Sequence, residues 1–350
     1  DFMGTMQDCI RLNLNLRCAS KVLFSINECR AFNADELYKV LVDFAWENVL
    51  PLDGYFSITS NVNNETITNN LFANVRVKDA IVDRFRNKMG ERPNSGPELN
   101  KAVIHLYWQD DYAEIFVDTS GETLSKHGYR KIPGKAPMLE SLAAATLLAT
   151  NWDRKSAVIN PMCGSGTIAI EAALLATNRK PGLLRDNYAF MHLVGYNENI
   201  YLDEYKKLEQ QVVDIPTLKI IATDISEDAV MIAKVNAGIA GVEEMIEFDV
   251  CDFEQTKIIE NENGIVYFNP EYGDRLGVEK ELEATYKRMG DFLKQKCKGY
   301  TGYIFTGNLE LAKKIGLKPK RRTEFFTSKI DCRLLSYELY AGSKDVKEEK

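Results

Sequence analysis

An Asn-Pro-Glu-Tyr segment at residues 269–272 follows the apolar run Gly-Ile-Val-Tyr-Phe at 264–268. The run predicts a buried strand whose carboxyl end is where doubly wound sheets bind ligands. There the side-chain oxygen of Asn269 and the carbonyl of Pro270 offer two acceptors, and Tyr272 offers a ring for stacking. Two acceptors suit an exocyclic amine of a base, whose lone pair is delocalised into the ring and must be drawn out of plane before it attacks a methyl group. A strand-ending turn is the structural alternative, because Asn-Pro and Tyr-Gly are common turn formers.

A glycine loop occupies residues 160–167, Asn-Pro-Met-Cys-Gly-Ser-Gly-Thr, between a short apolar run at 157–159 and a segment rich in Ala, Leu and Ile. Close glycines let a backbone approach a ligand, and the N-terminus of the following helix favours polar or anionic groups. Gly164, Gly166 and Ala169 fit the G-x-G-x-x-A pattern of dinucleotide sites. A tight structural turn would explain that pattern equally well.

Two acids follow the next predicted strands. Asp224 ends the run at 218–223 and could accept hydrogen bonds from the two ribose hydroxyls of a nucleoside cofactor. It lies much farther from Gly166 than the usual spacing of about 20 residues, and the long segment 178–216 accounts for the difference. Asp252 could accept from an adenine amino group, with Phe253 beside the ring, although a surface loop acid explains Asp252 as well.

The pattern of predicted helices and strands that must hold these residues differs between the two parts of the chain. Residues 1–132 mix strand-like and helix-like runs, which indicates an α+β region, and two prolines and a glycine make 132–137 a linker. Beyond it, strands alternate with helices such as the one predicted over 279–296, so a mainly parallel, doubly wound α/β sheet is expected. The aromatic residues within 178–216 suit either a helical insertion near the site or a packed core.

Composition bounds the remaining possibilities. The chain has 350 residues, which suggests two or three domains. Its net charge of −7 does not by itself indicate nucleic-acid binding. We expect a cytoplasmic protein without a signal peptide or membrane helix, and a piece of a longer chain because it begins without Met. The seven cysteines form no C-x-x-C pair and three histidines lack ligand spacing, so reduced thiols and no metal are expected.

Basic residues nevertheless cluster in three places, which lie within 76–92, 126–135 and 318–322. A whole-chain sum can hide such local patches. Either they are solvated faces with acidic neighbours, or they hold phosphates, which fixes the position of a nucleic acid more than its sequence. The residues that we expect to contact RNA are Arg76, Lys78, Arg84, Arg86, Lys126, Arg130 and Lys131. Our hypothesis is that the first two clusters form one electropositive face beside the pocket.

The chain resembles the THUMP-containing bacterial methyltransferases that make N2-methylguanosine in large-subunit (23S) ribosomal RNA. Beside the glycine loop, the segments that carry the resemblance are Asp-Thr-Ser-Gly-Glu at 118–122, His-Gly-Tyr-Arg at 127–130, Ala-Pro-Met-Leu-Glu-Ser-Leu-Ala at 136–143, 269–276, Thr-Gly-Asn-Leu-Glu at 306–310 and Lys-Ile-Asp-Cys-Arg-Leu at 329–334. The resemblance implies a partial ferredoxin-like region at 1–50, a THUMP-like RNA-binding domain at 51–132, a Rossmann-like class I methyltransferase domain at 133–343 and a charged tail at 344–350. The start of the ferredoxin-like region and the second methyltransferase domain of some relatives are expected to be missing.

The resemblance also implies S-adenosylmethionine as the cofactor and RNA as the partner. The residues expected to bind the cofactor are Pro137, Glu140, Ser141, Asn160, Pro161, Cys163, Gly164, Ser165, Gly166, Thr167, Asp224, Ile225, Asp252, Phe253 and Asn269. Two positions depart from the family. Asn160 stands where many relatives have Asp, and Glu271 replaces a proline in the usual Asn-Pro-Pro-Tyr.

Three other functions remain open on the sequence. An amino-methyltransferase acting on adenine in DNA or RNA, or on a protein glutamine, would use the same Asn-Pro-x-Tyr chemistry. A nicotinamide-dependent dehydrogenase would use the G-x-G-x-x-A turn but leaves 269–272 unexplained. The Glu271 substitution keeps a third alternative, a catalytically weak RNA-binding or ribosome-assembly protein.

Overall fold

The computed structural model describes residues 2–132, 137–259, 263–271, 279–327 and 330–340. Most of the predicted linker, the stacking residue Tyr272 and the charged tail at 344–350 lie outside the described residues. Close contacts group the chain into two units. The first runs to His127 and includes Lys180–Gln211, and the second comprises Gly128–Arg179 and the residues from Val212 on.

The helices and strands are, in chain order, α1 (Met6–Asn15), β1 (Leu23–Arg30), α2 (Ala34–Asp43), β2 (Tyr55–Asn63), α3 (Asn70–Met89), β3 (Asn94–Ser95), β4 (Ala102–Gln109), β5 (Tyr112–Asp118), α4 (Glu140–Leu148), β6 (Ala157–Pro161), α5 (Thr167–Ala176), α6 (Glu198–Glu209), β7 (Ile220–Asp224), α7 (Glu227–Ala240), β8 (Ile246–Val250), β9 (Gly264–Phe268), α8 (Glu279–Lys296), β10 (Thr301–Thr306), α9 (Leu309–Lys313), β11 (Arg321–Thr327) and β12 (Ile330–Glu338). Short 3₁₀ turns cover Trp46–Asn48, Pro181–Leu184, Ala189–His192, Glu243–Met245 and Phe253–Gln255.

The first unit is an α+β structure, as predicted. Its sheet has the strand order β1-β5-β4-β2-β3, in which β2 runs parallel to β3 and β4 while β5 is antiparallel to both neighbours. Helices α2 and α3 pack together beside it and enclose the fully buried Trp46 and Trp108. Helix α2 ends at Asp43, because the backbone becomes extended at Phe44.

The long segment at 180–211 belongs to the first unit. Its buried Tyr188 and Phe190 join a core with Ile10 and Leu14 of α1. Arg11 of α1 also donates to Glu204 of α6 at 3.1 and 3.2 Å. These aromatic side chains are therefore core residues, the second of the two alternatives left open by the sequence.

The second unit contains a seven-stranded sheet in the order β11-β12-β10-β9-β6-β7-β8. Strands β8, β7, β6, β9 and β10 are parallel, and β12 is antiparallel to its neighbours β10 and β11. This arrangement confirms the mainly parallel sheet. From β6 the chain steps outward to β7 and β8, then returns to β9 on the other side of β6. Ligands bind at such a reversal, just beyond the carboxyl ends of the strands.

Strand β11 forms one edge of the sheet and begins at Arg321, and β12 beside it begins at Ile330. The sequence at 321–324, Arg-Arg-Thr-Glu, has no apolar face, so hydrophobic periodicity does not predict this part of β11. Its backbone is instead held by regular pairing with β12 from Arg321 to Thr327.

No helix within the described ranges is long and apolar enough to cross a membrane. All seven cysteines lie in the described residues, and none of them is joined to another in a disulfide bond there.

Candidate functional site

Asn160 connects the strands on either side of the chain reversal. Its side-chain nitrogen donates to the carbonyl of Tyr267 at 2.9 Å, which joins the end of β6 to the end of β9. Because only the amide nitrogen can donate to a carbonyl, the oxygen Oδ1 points the other way. Among the described residues nothing hydrogen-bonds to this oxygen, although Asn160 is fully buried. A buried acceptor without a donor is costly, so it marks a place where a ligand N–H or ammonium group would be stabilised.

The two loop glycines have different physical roles. Both adopt the left-handed backbone conformation, with φ of 55° at Gly164 and 79° at Gly166. A Cβ at Gly166 would lie 2.8 Å from the Cβ of Ala233 in α7, so this glycine allows the loop to pack on the helix. A Cβ at Gly164 would meet no atom within 4 Å, so this glycine borders open space.

Asp224 fixes the loop at the end of β7. One of its carboxylate oxygens accepts from the backbone N–H of Gly164 at 2.9 Å, and the other accepts from that of Ser226 at 3.0 Å. The neighbouring Ile225 is 73% exposed, which is unusual for a large aliphatic side chain beside a glycine loop. The edge thus combines a carboxylate with an apolar surface that a flat ring could cover.

Asp252 and Phe253 are more constrained than the sequence suggested. Asp252 accepts from the backbone of Glu254 at 3.0 Å and from Arg288 at 2.8 Å. Burial alone would raise the pKa of Asp252, but these two hydrogen bonds outweigh it and lower the pKa. The Phe253 ring is buried and packs edge-on against Phe268. Phe253 is therefore mainly a core residue under the site.

The Asn-Pro segment follows β9 directly. Asn269 is half-buried and Pro270 is buried, while the Glu271 side chain points to solvent. The Glu271 carbonyl accepts from the hydroxyl of Tyr286 in α8 at 3.4 Å. Tyr286 is buried and shares a hydrogen bond of 2.9 Å with Thr306 at the end of β10. Sequence reasoning missed this support, because a tyrosine in an amphipathic helix carries no signal beyond packing.

Arg130 is not on the surface that the RNA hypothesis requires. Its side chain is 9% exposed and forms an ion pair with Glu140 at 3.5 Å. The same guanidinium donates to the Thr167 hydroxyl at 2.9 Å and to the carbonyl of Met138. Arg130 therefore connects the start of α4 to the start of α5 instead of offering a charge to phosphate. The predicted cofactor residues Glu140, Ser141, Ser165 and Thr167 are all buried around this network, and Pro137 is half-buried before it.

The basic residues of α3 are largely paired with acids. Arg76 binds Asp35 at 2.7 Å, and Arg84 binds Glu47 at 2.9 Å. Hydrogen bonds from Arg84, then Lys88, lower the pKa of Glu47 to about 2. Other pairs are looser, as for Lys78 with Asp79 at 3.3 Å and Arg86 with Asp83 at 4.0 Å. Lys126 and Lys131 are exposed. One electropositive face beside the pocket stays a prediction.

Cys163, which the resemblance implies as a cofactor-binding residue, has a buried side chain. Burial, reinforced by the nearby Asp224 carboxylate, raises the pKa of its thiol. A thiol that stays protonated is unreactive. Its backbone N–H donates to the Thr223 carbonyl at 2.9 Å, which adds to the connection between the loop and β7.

A parallel sheet that reverses beside a glycine loop, with acids ending the next strands and Asn-Pro ending β9, defines a Rossmann-like methyltransferase domain. Residues 127–336 match an RMKL-like methyltransferase domain, and residues 31–118 match the THUMP domain. The chain therefore belongs to the RMKL-like methyltransferase family, and the predicted resemblance is confirmed.

Known proteins similar to this chain cover nearly all of it. The ribosomal RNA large subunit methyltransferase K/L of Syntrophotalea carbinolica is 33% identical over 97% of this chain and 49% of that protein. The chain spans about half the length of the curated relatives it matches. A solved putative methyltransferase complexed with SAH has 27% identity and a TM-score of 0.85, covering 97% of this chain and 89% of that one. A predicted N6-adenine-specific DNA methylase from Listeria monocytogenes has 30% identity and a TM-score of 0.85, covering 96% and 87%.

Proposed function

We propose that this chain transfers the methyl group of S-adenosylmethionine to the exocyclic N2 amine of a guanine in large-subunit ribosomal RNA, in the cytoplasm. The observation that carries the proposal is the hydrogen bond from Asn160 to the Tyr267 carbonyl. It holds the glycine loop next to β9, the strand that Asn269 directly follows. A cofactor on the loop and an amine at Asn269 would then face each other.

The described residues fit S-adenosylmethionine. The unpartnered Asn160 oxygen suits the ammonium group of its amino-acid end, and the open space at Gly164 leaves room for its chain. Asp224 suits the ribose hydroxyls, with Ile225 against the adenine. When bound, the cofactor supplies an electrophilic methyl group on a positively charged sulfur.

The protein would act mainly by positioning the amine. The side-chain oxygen of Asn269 and the carbonyl of Pro270 would accept the two amine hydrogens and direct the lone pair at the methyl group. A strong base is not needed, because the amine becomes acidic only as it is alkylated, so alignment supplies most of the rate. Pro270 has no N–H to compete for the same acceptor.

RNA as the substrate is favoured by the THUMP match and by the name of the Syntrophotalea carbinolica relative. The amine of a paired base is inaccessible, so the enzyme would bind an unpaired base or flip one out at a cost of a few kcal/mol. Stacking on Tyr272 would recover part of that cost.

Methylation of adenine N6 is the second candidate, because a similar solved chain is named as an N6-adenine-specific DNA methylase. The two acceptors at Asn269 and Pro270 would serve either amine. The experiment is therefore methyl transfer from labelled S-adenosylmethionine to ribosomal RNA, DNA and protein in parallel, followed by identification of the nucleoside. We expect label in RNA alone. Label only in DNA or protein would replace this proposal, and cofactor binding without any transfer would favour a non-catalytic role.

A further inference from the structure

A second polar cavity lies in the methyltransferase unit, away from the glycine loop. It has a volume of about 250 Å³ and is lined by Ala149, Asn151, Tyr303, Lys320, Arg321, Thr323, Leu334 and Ser336. Tyr303, Ser336 and Arg321 are register partners on the adjacent strands β10, β12 and β11. Directly paired residues project to one face of a sheet, so these three form a row across the cavity floor.

The cavity lining is rich in hydrogen-bond donors. Tyr303 accepts from the backbone N–H of Asn151 at 3.0 Å, so its own hydroxyl hydrogen is left to donate. Within the described ranges Arg321 has no ion pair, and a guanidinium has five donors and no acceptor. The hydroxyls of Thr323 and Ser336 can add further donors. Such a set suits a ligand that is rich in acceptor oxygens.

The net charge of the cavity lining suits a ligand that carries one negative charge. Lys320 is neutralised by an ion pair with Glu338 at the rim, which leaves Arg321 as the uncompensated cation of the lining. The carboxyl end of α4 is nearby and would repel an anion. Its Leu147 carbonyl, however, already accepts from the hydroxyl and the backbone N–H of Thr150. A phosphodiester carries one negative charge, whereas a free phosphate monoester carries close to two at neutral pH.

The cavity lies at the end of α4 opposite the contacts of Arg130 with Glu140. Helix α4 begins at Glu140, which pairs with Arg130, and ends at Leu148 next to the cavity. Its nine residues span about 13 Å at 1.5 Å per residue. The Tyr303 ring of the cavity stacks on Tyr267 of β9, 6.5 Å between centroids, so the cavity begins on the strand next to the one that Asn269 follows.

We propose that this cavity binds a phosphodiester of the RNA strand a few nucleotides from the methylated base, with Arg321 as its main ligand. The inference rests on the RNA substrate proposed above. The alternative is that basic side chains on β11 only protect an exposed sheet edge from pairing with other chains. The edge explanation applies equally to Arg321 and Arg322, whereas the cavity involves Arg321 alone.

The test compares Arg321→Gln with Arg322→Gln, which removes the same charge from the next residue of the strand. Binding of protein-free ribosomal RNA is measured over a range of KCl concentrations, with S-adenosylhomocysteine binding as the control for an intact cofactor site. We expect Arg321→Gln to weaken RNA binding about 10-fold and to reduce the salt slope by about 0.7–0.9. Thr323→Val should weaken binding less, and Arg322→Gln should match the wild type.

Equal losses in Arg321→Gln and Arg322→Gln would overturn the proposal in favour of a diffuse basic edge. It would also fall if Arg321→Gln bound RNA like the wild type, whether or not inorganic phosphate competes for the cavity. If the wild type binds S-adenosylhomocysteine but no RNA, the proposed function itself fails, and that result differs from a failure of the cavity alone.

Discussion

The side-chain amide of Asn160 has a structural contact on one side and an open acceptor on the other. Its nitrogen donates to the Tyr267 carbonyl at 2.9 Å, and its buried oxygen has no hydrogen-bond partner among the described residues. The hydrogen bond from the nitrogen holds β6 and β9 together where the chain order of the sheet reverses. The oxygen would be the acceptor for the bound cofactor. Substitutions can separate these two functions.

Asn160→Leu and Asn160→Asp should both lower the free energy of unfolding by about 1–3 kcal/mol, since each leaves the buried Tyr267 carbonyl without its donor. Only the leucine variant also loses an acceptor for the cofactor. We therefore expect at least a roughly 10-fold loss of S-adenosylhomocysteine affinity in Asn160→Leu and a much smaller loss in Asn160→Asp. Urea unfolding and calorimetric titration measure the two effects, and equal affinity losses in both variants would contradict the role of the oxygen.

The two loop glycines should respond differently to alanine. Gly166→Ala adds overpacking against Ala233, 2.8 Å away, to backbone strain, so it should destabilise the protein by about 2–5 kcal/mol. Gly164→Ala meets no atom and should cost only the strain of about 1–2 kcal/mol. It should nevertheless weaken cofactor binding, because its methyl group enters the open space. Unfolding curves with and without S-adenosylhomocysteine distinguish these outcomes, and unchanged affinity in Gly164→Ala would place the cofactor elsewhere.

Tyr286→Phe should slow catalysis without displacing the cofactor. The hydroxyl holds the Glu271 carbonyl at 3.4 Å and Thr306 at 2.9 Å, so its loss should loosen the Asn-Pro segment. We expect kcat to fall about 10-fold, as for one lost hydrogen bond, with little change in the KM for S-adenosylmethionine. Thr306→Val is the control, because it removes the Thr306 contacts to Tyr286 and to the Asn308 N–H at 3.1 Å but keeps the contact to Glu271, and it should lower kcat less. A stability loss with unchanged kcat would reduce Tyr286 to a packing residue.

Acid should remove a specific stabilising contact in the first unit. Arg84 and Lys88 lower the pKa of Glu47 to about 2, below the ordinary value of about 4.3 for an unfolded chain. A lowered carboxyl pKa stabilises the folded state above the unfolded value, and the contribution is lost as the pH falls from about 4.3 towards about 2. Glu47→Gln should therefore be less stable than the wild type at neutral pH, and the difference should shrink with acid. A difference that stays constant between neutral and strongly acidic pH would mean that packing, not charge, is responsible.

Much of the site could be predicted from short-range patterns. The loop at 160–167, the acid at Asp224 and the Asn-Pro end of β9 are local signals, because each combines an apolar strand with the residues that end it. Asn308 is another local signal, because Asn is a common helix N-cap, and its side chain accepts from the backbone N–H groups of Glu310 and Leu311 at the start of α9.

Long-range contacts were not predictable in the same way. Whether Arg130 is a surface charge or a buried partner of Glu140 depends on where α4 and α5 pack, and its sequence neighbours do not reveal that. The association of 180–211 with α1 likewise depends on tertiary contacts such as Arg11 with Glu204. Tyr286 acquires its role only because α8 passes beneath the Asn-Pro segment.

The central claim is tested most directly by identifying the nucleoside that is methylated in protein-free large-subunit ribosomal RNA by the wild type and by Asn269→Ala. We predict N2-methylguanosine with the wild type. The variant should be slower by roughly 10²–10³-fold, the usual effect of losing one group aligned with the transition state, and this loss of rate should far exceed any loss of S-adenosylhomocysteine affinity. N6-methyladenosine as the product, or full activity in Asn269→Ala, would contradict the account.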